Sequence, residues 1–242
     1  MKKMDKTIKI LNIVLVALLI IGAPYVYWKL NNMESQNRVD FSRQTEKILR
    51  LDAGIKFESK RQQYLLESTK EMLKVNKNLR HDEAYRRSEV NLFFGEKYSV
   101  DPNLLLAIEN PESGFDKDAV SEAGAIGFTQ IYPPTARMLF RILGWEYNRI
   151  LLFDPDRSTE LCALYINILY AEYQNIEQVL AHYNGGYWGA HYYKTKNPRL
   201  HPETKEYVPK VLAHYRKYKK KLGRYLDITN EGGFEIIGDN KG

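Results

Sequence analysis

The N-terminal part of the chain carries a long apolar run at residues 10–28. Because about 20 apolar residues in a helix span a bilayer, this run predicts a transmembrane anchor. Four lysines precede it within residues 1–9, whereas Glu34 and Asp40 follow it, and this asymmetry places residues 1–9 in the cytoplasm and the rest outside. A cleaved signal peptide is the alternative, but the run is long for one and lacks a clean small-x-small cleavage site.

Residues 29–90 predict a helical stalk. They contain no proline and are rich in Glu, Lys, Arg, Gln and Leu, which favour helices. Ile48 and Ile55 are seven residues apart, and Leu65 and Met72 fit the second apolar position of the same heptad register. Polar residues fill other core positions of that register, so the coiled-coil signal is weak. Self-association through the stalk and a monomeric spacer are both open.

Residues 91–227 predict a globular domain made of helices. The pair Asp101–Pro102 is typical of a helix start, with Asp101 as the capping residue. Further helical stretches lie near residues 104–110, 134–143, 157–172, 176–183 and 203–221. Only residues 233–238 show a strand-like pattern, so we predict an all-α fold. Residues 228–242 are polar and glycine-rich, which predicts a flexible tail.

Charge narrows the class of partner without identifying it. The formal charge of +6 suits nucleic acid, phospholipid or an acidic wall polymer. The basic run at residues 216–225 is interpreted first as a solvated helix face and second as a site that attracts wall polymers or lipid. Nucleic acid is not expected, because this run lies outside the cytoplasm in the predicted topology. Cys162 is the single cysteine and is interpreted as a small apolar residue on a helix.

The segment 107–136 combines groups that suit a binding cleft. Glu112 follows an apolar helical stretch, and serine, glutamine and tyrosine side chains come shortly after it. The small residues Gly124, Ala125 and Gly127 allow a ligand or another backbone to approach closely. This segment is therefore the candidate functional site.

Four short motifs carry a more specific signal. Residues 112–115 have the form E-S-x-F, residues 121–130 the form S-x-x-G-A-x-G-x-x-Q, residues 183–186 the form Y-N-G-G, and residues 203–208 the form E-T-x-x-Y-V. Complete and in this order, they resemble the soluble lytic transglycosylase (SLT) family over roughly residues 92–222. The resemblance implies a lysozyme-like fold, related to goose-type lysozyme, and a peptidoglycan lytic transglycosylase of the bacterial cell wall.

The resemblance implies that Glu112 carries both proton transfers of the reaction. It would protonate the β-1,4 oxygen between N-acetylmuramic acid and N-acetylglucosamine, and then accept the proton of the C6 hydroxyl as a 1,6-anhydromuramyl product forms. Glu112 must therefore start protonated, and burial against an apolar wall would raise its pKa, with Phe115 and Ile131 as candidates for that wall. Tyr183 is expected to orient the carboxyl group.

The motifs also imply a set of substrate-binding residues: Ser113, Ser121, Gln130, Tyr132, Tyr183, Asn184, Glu203 and Tyr207. No cofactor or metal is implied, because the histidines lack zinc-ligand spacing and no acidic calcium loop is visible. The expected partners are peptidoglycan glycan strands and, through residues 10–28, the cytoplasmic (inner) membrane. The catalytic domain would then lie in the periplasm or cell-wall space.

Some features leave alternatives open. Pro111 departs from the family pattern directly before Glu112 and predicts a kink that would affect the aim of the carboxyl group. Glu109 is the rival acid, although only Glu112 has the family spacing. A hydrolytic muramidase of the same fold is one alternative function, with Asp116 and Asp118 as possible companion carboxylates. The other is an inactive, wall-binding component of a secretion, conjugation or phage-entry machine.

Overall fold

The computed structural model describes residues 25–29 and 35–226 of the chain. The predicted cytoplasmic segment 1–9, nearly all of the predicted anchor 10–28, and the predicted tail 228–242 lie outside these residues. Residues 25–29 are helical. Among the described residues, no helix has both the length and the apolar character needed to cross a membrane.

Residues 35–226 form seven α-helices and two short 3₁₀ helices. The α-helices are α1 (Ser35–Val75), α2 (His81–Tyr98), α3 (Pro102–Ser113), α4 (Pro133–Ile142), α5 (Pro155–Tyr173), α6 (Ile176–Lys194) and α7 (Pro202–Leu222). The 3₁₀ helices are Arg149–Leu152 and Gly223–Tyr225. Within this part of the chain, β-pairing is limited to isolated bridges that join Ile126 to Val120 and to Ile131. The all-α prediction is confirmed for the described residues.

The chain divides into two compact units, residues 1–58 and 59–242. In the first unit the heptad residues Ile48 and Ile55 are exposed. In the second unit Leu65 and Met72 are fully buried, so this end of α1 belongs to the globular core. Residues 29–90 were expected to form a stalk, but the second compact unit already begins at Ser59. Apolar residues spaced three and four positions apart occur both in helices that pack on a globular core and in coiled coils. The sequence pattern therefore could not show where the stalk ends.

An ion-pair cluster fastens the end of α1 inside the second unit. The buried carboxylate of Glu71 lies 2.5 Å from the Nζ atoms of Lys74 and Lys221 and 3.0 Å from that of Lys217. Burial raises the pKa of Glu71, but hydrogen bonds from these lysines outweigh it and lower the pKa to about 2. The cluster joins α1 to α7 on the same unit.

Helix α3 lies at the centre of the second unit, because Leu104, Leu105 and Ile108 have no exposed surface. It begins as predicted: the Asp101 side chain accepts a hydrogen bond of 2.8 Å from the backbone N–H of Asn103, with Pro102 as the first helical residue. Because α3 is buried over most of its length, the residues at its C-terminal end lie in the interior of the unit.

Candidate active site

The four motifs meet at one cavity of about 490 Å³. The five helices α3 to α7 and the loop between α3 and α4 supply its walls. Of the predicted site residues, the cavity is lined by Glu112, Ser121, Gln130, Tyr132, Tyr183, Asn184, Glu203 and Tyr207. Only Ser113 of the predicted set is not among the lining residues.

Glu112 projects from the last turn of α3. The helix runs without interruption through Pro111 to Ser113, so the kink expected from the proline does not end it before the glutamate. It ends at Gly114, where φ is +59° and the N–H donates to the carbonyl of Asn110 at 3.0 Å. The aim of Glu112 is thus set by a helix held in the core.

The carboxyl group of Glu112 is kept protonated by its surroundings. Burial raises its pKa to about 8 and outweighs the hydrogen bond from Tyr207, which lowers it. The nearby carboxylate of Glu203 raises the pKa further, and Lys210 lowers it. A carboxylic acid with this pKa still carries its proton at neutral pH.

Tyr207, and not Tyr183, holds the carboxyl group of Glu112. The Tyr207 hydroxyl donates to Oε1 of Glu112 at 2.6 Å. The Tyr183 hydroxyl instead donates to the backbone carbonyl of Thr129 at 2.7 Å and lies 3.5 Å from Sγ of Cys162. The role expected for Tyr183 was therefore assigned to the wrong tyrosine. Both belong to the motifs, and their spacing in the chain does not reveal which hydroxyl reaches the acid.

One of the two residues proposed as an apolar wall lines the cavity that contains Glu112. Ile131 lines the cavity, whereas Phe115 is buried in the core and lines a different cavity of about 560 Å³. The carbonyl of Phe115 accepts a hydrogen bond of 3.0 Å from Nδ2 of Asn76. The expectation that Phe115 forms part of this wall was wrong. Its φ of +63° turns the chain away from the cavity just after Gly114.

The loop residues Ser121 and Gln130 stabilise the loop as well as facing the cavity. Nε2 of Gln130 donates to the carbonyls of Gly127 at 2.8 Å and Ala119 at 3.0 Å. Oγ of Ser121 accepts from the N–H of Ala125 at 3.0 Å. The hydroxyl proton of Ser121 and the side-chain carbonyl oxygen of Gln130 are therefore available to bond to a ligand.

Ser113 fastens the end of α3 and does not face the cavity. Its hydroxyl donates to the carbonyl of Phe128 at 2.8 Å. The structure gives Ser113 this contact within the protein, and its expected contact with substrate stays a prediction. A small hydroxyl residue beside the acid suits this position, because it ties the helix end to the loop that carries Gln130.

The Y-N-G-G motif joins α6 to α7. Oγ1 of Thr204 donates to Oδ1 of Asn184 at 2.7 Å, and Nδ2 of Asn184 donates to Oε1 of Glu203 at 3.2 Å. A Cβ atom at Gly185 would lie 2.6 Å from Oγ1 of Thr204, so only glycine permits this approach. Gly186, with φ +66° and ψ −165°, breaks the helical geometry of α6 at the cavity edge.

Tyr165, His182 and Thr135 also line the cavity, although they were not among the predicted site residues. Nδ1 of His182 lies 2.8 Å from the hydroxyl of Tyr173, and the ring centroids of Tyr165 and Tyr183 are 5.6 Å apart. His182 directly precedes Tyr183, and this position next to the Y-N-G-G motif could have identified it as a cavity residue. Tyr165 had none, because it is an ordinary aromatic residue within the helical pattern of α5.

The rival carboxylates occupy other environments. Glu109 is fully buried in an ion pair with Arg87 and accepts a hydrogen bond of 3.1 Å from Nδ2 of Asn91. Asp116 and Asp118 line the cavity of about 560 Å³ and not the one that contains Glu112. Among the described residues, no group of three or more His, Cys, Asp or Glu side chains has an arrangement that could hold a metal ion.

Comparison with known proteins agrees with this geometry. Residues 90–204 match the family described as the transglycosylase SLT domain. This segment is an SLT domain. The predicted resemblance is thus confirmed over residues 90–204, which contain the first three motifs and the first two residues of the fourth.

Relatives of the SLT domain include two named membrane-bound lytic murein transglycosylase C. The protein from Actinobacillus pleuropneumoniae serotype 5b is 38% identical over 81 residues, which cover 32% of this chain and 22% of the relative. The protein from Yersinia enterocolitica is 37% identical over 102 residues, which cover 38% of this chain and 28% of the relative. The matched part is therefore about a quarter of the length of these relatives.

A solved structure shares the fold of the SLT domain. It is an inactive mutant of the lytic transglycosylase Slt from Pseudomonas aeruginosa, 25% identical in sequence, with a TM-score of 0.51. The superposition covers 56% of this chain and 24% of that chain. The described helices thus form a lysozyme-like, all-α domain, as the resemblance implied.

Proposed function

We propose that this protein is a peptidoglycan lytic transglycosylase that cleaves the β-1,4 bond between N-acetylmuramic acid and N-acetylglucosamine and forms a 1,6-anhydromuramyl product. The observation that carries this proposal is the position of Glu112 in a cavity lined by all four SLT motifs, where burial raises its pKa to about 8. The names of the relatives support it independently.

The first step uses Glu112 as a general acid. Its pKa of about 8 leaves the carboxyl group protonated at neutral pH, so it can donate to the glycosidic oxygen as the bond to the muramic C1 breaks. The leaving N-acetylglucosamine takes this proton as a hydroxyl group. Tyr207 stays bonded to Oε1, which leaves the other oxygen of the carboxyl group to carry the proton.

The second step uses the same residue as a general base. The ionised Glu112 accepts the proton of the muramic C6 hydroxyl, whose oxygen bonds to C1 and closes the anhydro ring. The nucleophile belongs to the substrate, so its effective concentration is high and no second carboxylate is needed to hold a water. The hydrogen bond from Tyr207 stabilises the carboxylate between the two steps.

A hydrolytic muramidase is the second candidate, and Glu203 is the observation that favours it. Glu203 lines the same cavity and is held by Nδ2 of Asn184 at 3.2 Å. A second carboxylate in this position could activate a water against C1. Because Asp116 and Asp118 lie in another cavity, Glu203 is the carboxylate to test for this activity.

Mass spectrometry of muropeptides released from purified sacculi tests the two reactions. The full-length chain is expected to release anhydromuramyl products, and Glu112→Gln is expected to release none. Reducing muramic ends in place of anhydro ends would establish the muramidase, and their loss in Glu203→Gln would assign the water-activating carboxylate. Release by neither the chain nor its variants would favour a wall-binding component without catalysis.

We also propose a single membrane anchor at residues 10–28, with the SLT domain on the outer side of the cytoplasmic membrane. The apolar run, the lysines within residues 1–9 and the membrane-bound naming of the relatives support this topology. The chain should sediment with membranes and resist extraction by high salt. Protease added to spheroplasts should remove the SLT domain; its protection would contradict the orientation, and its recovery in the soluble fraction would contradict the anchor.

A further inference from the structure

A cluster of aromatic side chains lies exposed on α6, directly after the kink at Gly186. We define the aromatic platform as Tyr187, Trp188, His191 and Tyr192. The rings contact one another: the centroids of Trp188 and Tyr187 are 5.3 Å apart, and those of Trp188 and Tyr192 are 5.5 Å apart in a stacked arrangement. Tyr187 is 57% exposed and Trp188 59% exposed. Core packing therefore does not account for these two large rings.

The platform continues from the cavity that contains Glu112. Gly186 lines that cavity and is the residue next to Tyr187 in the chain. His182 also lines the cavity, and its Nδ1 lies 2.8 Å from the Tyr173 hydroxyl. The platform therefore begins one residue after the cavity wall.

Positive charge follows the platform. Lys194, Lys196 and Arg199 lie exposed at the end of α6 and in the turn before α7. Within the described part of the chain, these three side chains are in no ion pair with a carboxylate. Aromatic rings next to unpaired cations match a ligand that combines sugar rings with carboxylates. The muramic residues of a glycan strand carry such carboxylates on their peptides.

We propose that the aromatic platform is an extension of the binding cleft that holds the peptidoglycan glycan strand beyond the bond that is cut. This inference rests on the proposed function. The C–H face of a pyranose ring carries partial positive charge and packs on the electron-rich face of an aromatic ring. Tyr187 and Trp188 are the residues expected to carry this stacking, and the cations would attract the peptide carboxylates of the same strand.

A membrane surface is the competing occupant of exposed aromatic residues, and the composition of the segment disfavours it. Residues 187–199 contain no Leu, Ile, Val or Met. Segments that lie in a membrane interface combine aromatic residues with aliphatic ones that enter the acyl region. The ring edges here instead carry hydroxyl and nitrogen groups, which can bond to sugar hydroxyl and acetamido groups.

Binding to purified sacculi tests the platform without turnover. In a full-length Glu112→Gln background, the double substitution Tyr187→Ala and Trp188→Ala is expected to weaken sedimentation with sacculi by about tenfold in apparent Kd. Phe93→Ala is the matched control, because Phe93 is 55% exposed on α2 and does not line the cavity. In the same Glu112→Gln background, the single substitution Trp188→Phe keeps an aromatic face and is expected to retain most of the binding. Equal binding by the double variant and the control would overturn the proposal.

Substrate length gives the second readout in the active chain. The double variant should lose about tenfold in kcat/KM on long glycan strands and keep its kcat/KM on a tetrasaccharide that fills only the cleft. An equal loss on both substrates would mean that the two rings support the cleft itself, and would overturn the proposal. Loss of binding to anionic phospholipid vesicles, with sacculus binding unchanged, would assign the platform to a membrane. Absence of turnover by the parent chain would refute the proposed function but leave the sacculus-binding result decisive for the platform.

Discussion

The hydroxyl of Tyr207 and the carboxyl group of Glu112 are 95 positions apart in the chain and 2.6 Å apart in space. The contact joins α7 to the last turn of α3. It opposes the effect of burial on Glu112, because a donated hydrogen bond favours the ionised form. The balance of the two sets a pKa of about 8. The same group can therefore give up a proton and take one back near neutral pH.

Tyr207→Phe should raise the pKa of Glu112 above about 8, because it removes the hydrogen bond that lowers this pKa. The alkaline limb of the pH–rate profile should move to higher pH. The maximal rate should fall by about tenfold or more, because the carboxylate between the two steps loses a charge-assisted hydrogen bond. Release of anhydromuropeptides between pH 5 and 10 measures both effects.

Tyr183→Phe is the matched control for this change. Its hydroxyl bonds to the carbonyl of Thr129 and not to Glu112, so its removal should leave the alkaline limb close to its original position. Stability should fall by about 1 kcal/mol, because the carbonyl loses its partner. A larger shift of the alkaline limb in Tyr183→Phe than in Tyr207→Phe would show that the tyrosines have the opposite roles.

Glu112→Gln should stabilise the protein at neutral and alkaline pH. The folded pKa of about 8 lies above the ordinary value of 4.5, so Glu112 does not favour unfolding below about pH 4.5, and its destabilising effect grows as the pH rises to 8. The gain from the substitution should be about 3 kcal/mol at pH 7 and vanish below about pH 4.5. Urea unfolding at pH 4, 7 and 8.5 measures it.

Glu109→Gln provides the contrast one helical turn earlier. It removes the buried partner of Arg87, so it should destabilise the protein by about 3 kcal/mol at neutral pH. Two Glu→Gln substitutions on the same helix are thus expected to change the free energy of unfolding in opposite directions at neutral pH. Destabilisation by both would mean that Glu112 is ionised in the folded protein at neutral pH.

Local signals in the sequence predicted the helix starts of the globular domain well, whereas α6 continues to Lys194 and does not end near residue 183 as predicted. Asp101 and Pro102 mark the start of α3 where the structure begins it. The stalk boundary near residue 90 was less accurate, because the side chains of Leu65 and Met72 show the same spacing in a coiled coil and in a globular core. Only the tertiary contacts of α1 distinguish the two, and these are not encoded in any local pattern.

The motifs placed eight of the nine predicted site residues at one cavity, since motif residues are selected together for one cleft. They did not reveal the hydrogen-bond partners. The exchange of roles between Tyr183 and Tyr207 and the inward-facing bond of Ser113 depend on side-chain directions to within a few ångström. Such directions follow from the packing of α3 against α7, which sequence spacing does not describe.

Gly127→Ala should destabilise the loop that carries Gln130. A Cβ atom at Gly127 would lie 2.2 Å from the carbonyl oxygen of Leu152, and the φ of +76° adds backbone strain. The expected cost is about 3 kcal/mol or more, with loss of activity because the loop must move away. Thermal unfolding and anhydromuropeptide release measure the two effects.

Gly124→Ala distinguishes the steric clash of a new Cβ atom from the backbone strain of a positive φ. Gly124 has a similar φ of +82°, but a Cβ atom there would meet no atom within 4 Å. The cost should be about 1 kcal/mol, from the left-handed backbone alone. Equal costs at the two positions would show that the approach of Gly127 to Leu152 does not restrain the loop.

Glu71 should determine part of the acid stability of the second compact unit. Its folded pKa of about 2 lies below the ordinary value of 4.5, so its stabilising effect is complete above about pH 4.5 and is lost as the pH falls toward 2. Glu71→Gln should cost about 3 kcal/mol at pH 7, since Lys217 and Lys221 lose a buried partner, and should cost little at pH 2. The matched control Glu67→Gln removes a more exposed carboxylate and should cost less than about 1 kcal/mol at pH 7. If the two substitutions cost the same at both pH values, the end of α1 is not held to α7 by this cluster.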